Sequence, residues 1–173
     1  MTEQKSLPVT PEKLFFHLEK MGISYELHHH EPLFTVEDGL EVEKGISGTH
    51  CRNLFLRDKK KAMFLVVLAN ETKVDLKNLA DLLGSGRLSF GSAERLWEHL
   101  GIRPGSVNPF CIMNDKAGAV RIILDRDMMA SDRVNYHPMD NAMTMGLSPD
   151  DLIRFINETG HKPEVLDLKP AAP

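Results

Sequence analysis

The stretch Asn53-Leu54-Phe55-Leu56-Arg57-Asp58-Lys59-Lys60-Lys61-Ala62-Met63-Phe64-Leu65-Val66-Val67-Leu68 decides the fold. Two apolar runs rich in branched and aromatic residues flank a charged tetrad, the pattern of two strands, 53–57 and 62–68, joined by a turn. The second run has no polar position, so neither face of that strand should meet water, and the hairpin belongs at the centre of a sheet.

Helical signals lie on both sides of it. Thr10-Pro11-Glu12 reads as a helix start, a hydroxyl cap followed by proline at the first position. Leu14, Phe15, Leu18 and Met21 follow at helical spacing, with Gly22 as the stop. Ser24 to His28 alternates as a strand, and a short helix is expected from Val36 to Glu43 after the turn at His30-Glu31-Pro32. Leu76–Leu83 and Ser92–Leu100 read as helices closed by Gly84 and Gly101. Phe110–Met113 and Val120–Leu124 flank Asn114-Asp115-Lys116-Ala117-Gly118 and predict a second hairpin. Ser148-Pro149-Asp150-Asp151 caps a last helix that runs to Thr159, with acidic residues at its positive end. Hairpins interleaved with helices predict an α+β chain, a mixed sheet with helices packed around it.

With 173 residues, 42% hydrophobic and 27% charged, the chain is expected to form one domain, 1–173, with a core over about 11–168 and loose ends at 1–6 and 169–173. A formal net charge of −4 argues against a protein that coats nucleic acid nonspecifically, and DNA is not an expected partner. Arg52, Arg57, Lys59, Lys60 and Lys61 still concentrate positive charge after an acidic stretch, and the three lysines alone read as a solvated turn. Cys51 and Cys111 make neither a disulfide framework nor a zinc pattern, as expected of reduced cytoplasmic thiols. The longest apolar run, Ala62 to Ala69, is too short for a membrane span, and no apolar signal core follows Met1. A soluble cytoplasmic protein is the expectation.

No glycine-rich phosphate loop is present, which disfavours ATP and NAD. His28-His29-His30 makes a poor metal site, because neighbouring strand residues point to opposite faces. Cys51 beside His50 lacks any nucleophile signature and reads as a small buried hydrophobe. His137 is held in an extended turn by Pro138, close to Asn141 and Thr144. Local evidence leaves it either orienting a water or ribose hydroxyl, or simply satisfied by those neighbours. In Gly105-Ser106-Val107-Asn108-Pro109, glycine admits close backbone approach and proline freezes the loop exit, although the pattern alone means only a turn.

The segment Cys51 to Lys61, the loop 105–109, and Asn135-Tyr136-His137-Pro138 with Asn141 and Thr144 stand in an order that resembles the YbaK/prolyl-tRNA-synthetase-associated editing domains. The likeness is strongest to the free-standing form that removes a wrong amino acid from tRNA, and it runs from about Pro11 to about Leu168. It implies a central, partly barrel-like mixed sheet surrounded by helices, and a deacylase that needs no metal or other cofactor. The implied catalytic residues are His137, Gly105 and Asn108; the implied substrate-binding residues are Arg52, Asn53, Ser106, Val107, Pro109, Asn141 and Thr144. Its implied partner is the acceptor end of tRNA(Pro), with prolyl-tRNA synthetase as a further candidate, and the implied substrate is Ala-tRNA(Pro), with Cys-tRNA(Pro) as an alternative. Similar proteins carry lysine directly before Asn-Leu-Phe-Leu, where this chain has Arg52, a planar fork that keeps the phosphate-binding charge. Competing readings are a noncatalytic module that binds tRNA ends or a synthetase, and a metal-dependent hydrolase that uses the scattered histidines.

Overall fold

The computed structural model describes residues 5–170, so much of the expected loose ends, 1–4 and 171–173, lies outside the described residues. The first expected hairpin forms the middle of the molecule: β2 (Thr49–Arg57) and β3 (Met63–Ala69) pair antiparallel from Cys51↔Ala69 to Arg57↔Met63. Every residue of β3 is buried, and its side chains alternate between two cores. Met63, Leu65 and Val67 face one; Phe64, Val66 and Leu68 face the other.

The remaining strands are β1 (Glu26–His29), β4 (Ser89–Phe90), β5 (Val120–Asp125), β6 (Val134–Tyr136), β7 (Met143–Leu147) and β8 (Glu164–Leu166). They extend the sheet in the order β1-β7-β6-β2-β3-β5-β8, with β4 on β2 off this path. Parallel pairs (β2·β6, β3·β5, β5·β8) mix with antiparallel ones, so the expected mixed sheet with helices around it is what forms.

Helices α1 (Pro11–Lys20), α4 (Ala93–Leu100) and α6 (Pro149–Glu158) pack on the first core through Leu14 and Leu18, Leu96 and Leu100, and Leu152, Phe155 and Ile156. Helix α3 (Leu76–Leu83) covers the second core with Leu79, Ala80 and Leu83. The expected caps at Thr10, Ser92 and Ser148 accept backbone N–H groups, and Gly84 and Gly101 close their helices in the left-handed region. Helix α2 (Val36–Lys44) carries a full capping box between Thr35 and Asp38 but buries none of its residues.

The second expected hairpin does not form. Residues 110–113 belong to a 3-10 helix over Pro109–Asn114, because Pro109 lacks a ladder donor and the Asn108 side chain caps the amide of Phe110. Strand β5 runs parallel to β3 instead. Strands β6, β7 and β8 and the short helix α5 (Arg126–Met129) were not expected from the sequence.

Candidate functional site

The site arises where the sheet splits. On the side of β2 away from β3, Thr49 and His50 pair with β6, and Leu56 and Arg57 pair with β4. Between them no ladder partner covers Cys51 to Asn53 on that side among the described residues, and a cavity of about 960 Å³ opens there. His50, Cys51, Arg52 and Asn53 of β2 form one wall, with His137 and Thr144 from the β6–β7 region beside them. Asn70 and Glu71 follow β3 on a second side, and the segment from Leu33 to Glu43 closes a third.

The guanidinium of Arg52 is fixed by the chain itself. Its Nη1 donates to the carbonyl of Asn70 at 2.7 Å and its Nη2 to that of Thr72 at 2.8 Å. Five N–H donors leave three for a ligand. The loop that offers these carbonyls is held in turn by the buried Asp125, whose Oδ2 accepts from Thr72 Oγ1 at 2.5 Å and from the Ala69 amide at 3.1 Å. Its other oxygen caps α5 through the Asp127 amide. Asn70 donates from its side chain to Glu43 of α2 at 2.8 Å, which ties the second and third walls together.

His137 is half-buried, and its Nδ1 lies 2.8 Å from the carbonyl of Met143. A carbonyl only accepts, so Nδ1 carries the proton and Nε2 of the neutral ring holds a lone pair. Burial pushes the pKa of His137 below its ordinary value, a shift that outweighs the opposing Met143 contact and keeps the ring neutral. His30 is bound in the same sense: Nδ1 to the Glu31 carbonyl at 2.8 Å, and Nε2 to the Thr144 hydroxyl at 2.9 Å. The two rings sit edge to face, 6.1 Å apart.

Asn135, which also lines the cavity, supports this wall by donating to the carbonyls of Ser47 and Thr49. A Cβ at Gly146 would come within 2.7 Å of its Oδ1, and one at Gly48 within 2.8 Å of its Nδ2, so both glycines are required by the Asn135 side chain. Cys51 borders the cavity, but burial pushes its thiol up to about 12, far from a thiolate nucleophile.

Of the residues expected at the site, Arg52, Asn53, His137 and Thr144 converge on this cavity. Asn141 stands behind it and donates to the carbonyl of Leu33. The loop 105–109 does not line it. Asn108 is fully buried; its Oδ1 accepts from the Phe110 amide and its Nδ2 donates to the Ser106 carbonyl and to the sulfur of Met139. Gly105 turns the chain at φ 94°, Val107 packs against the core, and Pro109 is buried at the start of the 3-10 helix. The loop is linked to the site through Met139, whose sulfur accepts from Asn108 and whose amide donates to the carbonyl of His137. Sequence reasoning missed His30, Asn70, Glu43 and Asp125. An acid closing an apolar strand, Ile122-Ile123-Leu124-Asp125, is the one signal among them that could have been read. Among the described residues no group of three or more histidine, cysteine or acidic side chains is placed to hold a metal ion, and no helix is long and apolar enough to cross a membrane.

The family model for the aminoacyl-tRNA editing domain matches residues 30–155, which span every wall of this cavity. The chain is 35% identical to a prolyl-tRNA editing protein, ProX, of Acetoanaerobium sticklandii, over 87% of this chain and 93% of that one. It is 37% identical to prolyl-tRNA synthetase associated domain-containing protein 1 of Bos taurus, over 87% and 91%. A crystal structure described as a trans-editing enzyme for prolyl tRNA synthetase superposes with a TM-score of 0.71 over 96% of this chain and all of that one; at 20% identity this shows the fold alone. A family match over most of the chain, and relatives aligned along nearly their whole length, place the chain in the aminoacyl-tRNA editing domain family.

Proposed function

We propose that the protein is a trans-acting aminoacyl-tRNA deacylase whose substrate is Ala-tRNA(Pro), the mistake made on prolyl-tRNA synthetase, and that the chain works as a single editing domain in the cytoplasm. The observation that carries this reading is the neutral His137, locked by Met143 with an Nε2 lone pair at a cavity that also holds a fixed guanidinium. The names of the two relatives support the prolyl-tRNA part of it.

In this reading the three free N–H groups of Arg52 hold the phosphate of the terminal nucleotide. Asn53, next to Arg52 on the same wall, meets the aminoacyl group. His137 Nε2 takes a proton as water adds to the ester carbonyl, and returns it to the ribose oxygen when the C–O bond breaks. The thiol of Cys51 plays no nucleophilic part, because burial keeps it protonated. An aminoacyl ester is already activated, so positioning carries much of the barrier reduction. The loop 105–109 acts as a support for the His137 turn through Met139.

Alanine is the expected mistake because a missing methylene is worth only about 1–3 kcal/mol in a synthetase pocket, too little to exclude a smaller competitor. The test is a release assay on alanyl, cysteinyl and prolyl esters of tRNA(Pro). Alanine should leave much faster than proline; equal rates would remove the specificity, and tight binding without release would make the protein a noncatalytic tRNA-end module.

A further inference from the structure

One side of the cavity is apolar, and none of the described residues covers it. Phe34 lines it and is 83% exposed, Val36 is 82% exposed, and Leu40, one helical turn on, is 52% exposed. Such exposure is unusual for three large apolar side chains on adjoining positions. The backbone beneath them is firmly held: the amides of Phe34 and Thr35 donate to Asp38 Oδ2, the Asp38 amide donates back to Thr35, and Asn141 grips the Leu33 carbonyl from the other side. The ledge is thus an aromatic and aliphatic surface carried on a fixed backbone.

Its surroundings restrict what can lie on it. Glu37 and Asp38 are exposed on the same segment, beside the Glu41–Lys44 pair, and repel a phosphate chain, whereas Arg52 on the β2 wall attracts one. A nucleotide has both characters: a charged phosphate and an uncharged base with flat apolar faces. Resting on the deacylase reading above, we infer that the Phe34–Val36–Leu40 ledge is a nucleobase platform on which the terminal base of the acceptor strand stacks, with Phe34 as the stacking ring. The division of charge sets the orientation of the nucleotide, base toward α2 and phosphate toward Arg52, and leaves the ribose ester between them beside His137.

The test separates stacking from catalysis. An unacylated acceptor-end oligonucleotide with 2-aminopurine in place of its terminal adenine should lose fluorescence on binding the parent protein. Phe34→Trp should keep that quench, while Phe34→Ala and Phe34→Leu should lose it. In the deacylation assay Phe34→Ala should lower kcat/KM about five- to hundredfold, mainly through KM. That penalty should vanish on an alanyl ester whose terminal ribose lacks its base. An equal penalty on the base-less ester, full activity of Phe34→Leu, or a parent dimer that Phe34→Ala dissociates would each overturn the platform. Alanine release with no quench would sink this inference alone; quench without release would sink the deacylase reading and keep the platform.

Discussion

In the proposed mechanism His137 acts as the base only while Nε2 is unprotonated, and the local structure arranges for that twice. The Met143 carbonyl fixes the proton on Nδ1, and burial opposes a second proton. The folded-state pKa is depressed, so the sign is definite: the ring is neutral at pH 7 and gains its proton only below the ordinary histidine value of about 6.5. kcat/KM should therefore stay level from pH 7.5 to about 6.5 and decline below it. The unfolded chain binds this proton first as pH falls, so stability also drops through the same window, and folded fraction must be followed by circular dichroism alongside the rates. His137→Ala should be slow at every pH and lack the acid limb. A parent profile that bends well above pH 7 would show that another group is the base.

The loop between β3 and α3 illustrates how one element can serve the site through another. Asp125 at the end of β5 fixes Thr72 and Ala69, and the carbonyls of that loop fix Arg52. Thr72→Val removes the hydroxyl at one link and should cost about 1–3 kcal/mol of stability, because a buried carboxylate oxygen loses a partner. Arg52→Ala removes a charge-assisted contact and should lower kcat/KM roughly ten- to a hundredfold. If Thr72 acts through Arg52, adding Thr72→Val to Arg52→Ala should cause no further loss of kcat/KM per folded molecule; additive losses would make Thr72 a stability residue only. Neither link is visible along the chain, because it joins residues far apart in sequence. What was legible is what local chemistry decides. The caps at Thr10, Ser92 and Ser148, the stops at Gly84 and Gly101, and the unbroken apolar run of β3 each carry their own signal. Residues 110–113 misled, since their apolar side chains suit a buried strand equally well, and only the Asn108 cap before Pro109 distinguishes the 3-10 helix. Strand β7 was hidden by Gly146, a residue that weakens a strand pattern and is required here because the Asn135 and Arg133 side chains pack against it. Likewise Arg52, Asn53, His137 and Thr144 were legible through the family resemblance, whereas the inward turn of Asn108 depends on Met139.

A protein of net charge −4 that handles a polyanion must confine its attraction to a small area. The two obvious basic features of this chain lie apart along the hairpin: Arg52 midway along β2 at the cavity, and Lys59, Lys60 and Lys61 exposed in the turn to β3. At about 3.3 Å per residue, the turn lies roughly 20 Å along the strand from Asn53, beyond a Debye length of about 8 Å at physiological salt. Its charges therefore act on the cavity only if the tRNA body itself reaches them. In the proposed orientation the terminal phosphate meets Arg52, and the acids Glu43 and Glu71 at the cavity leave little other positive potential there. Few phosphates should be neutralised, and the salt dependence of kcat/KM should be shallow, near the slope of about −0.7 per phosphate on a single strand. Replacing all three lysines by glutamine should leave that slope unchanged on a short acceptor-end substrate, while Arg52→Ala should flatten it by about one contact. The lysine triple variant should also leave the slope unchanged on full-length tRNA(Pro); a flatter slope there alone would place the body of the tRNA along β2, and a flatter slope on both substrates would move the phosphate anchor away from Arg52.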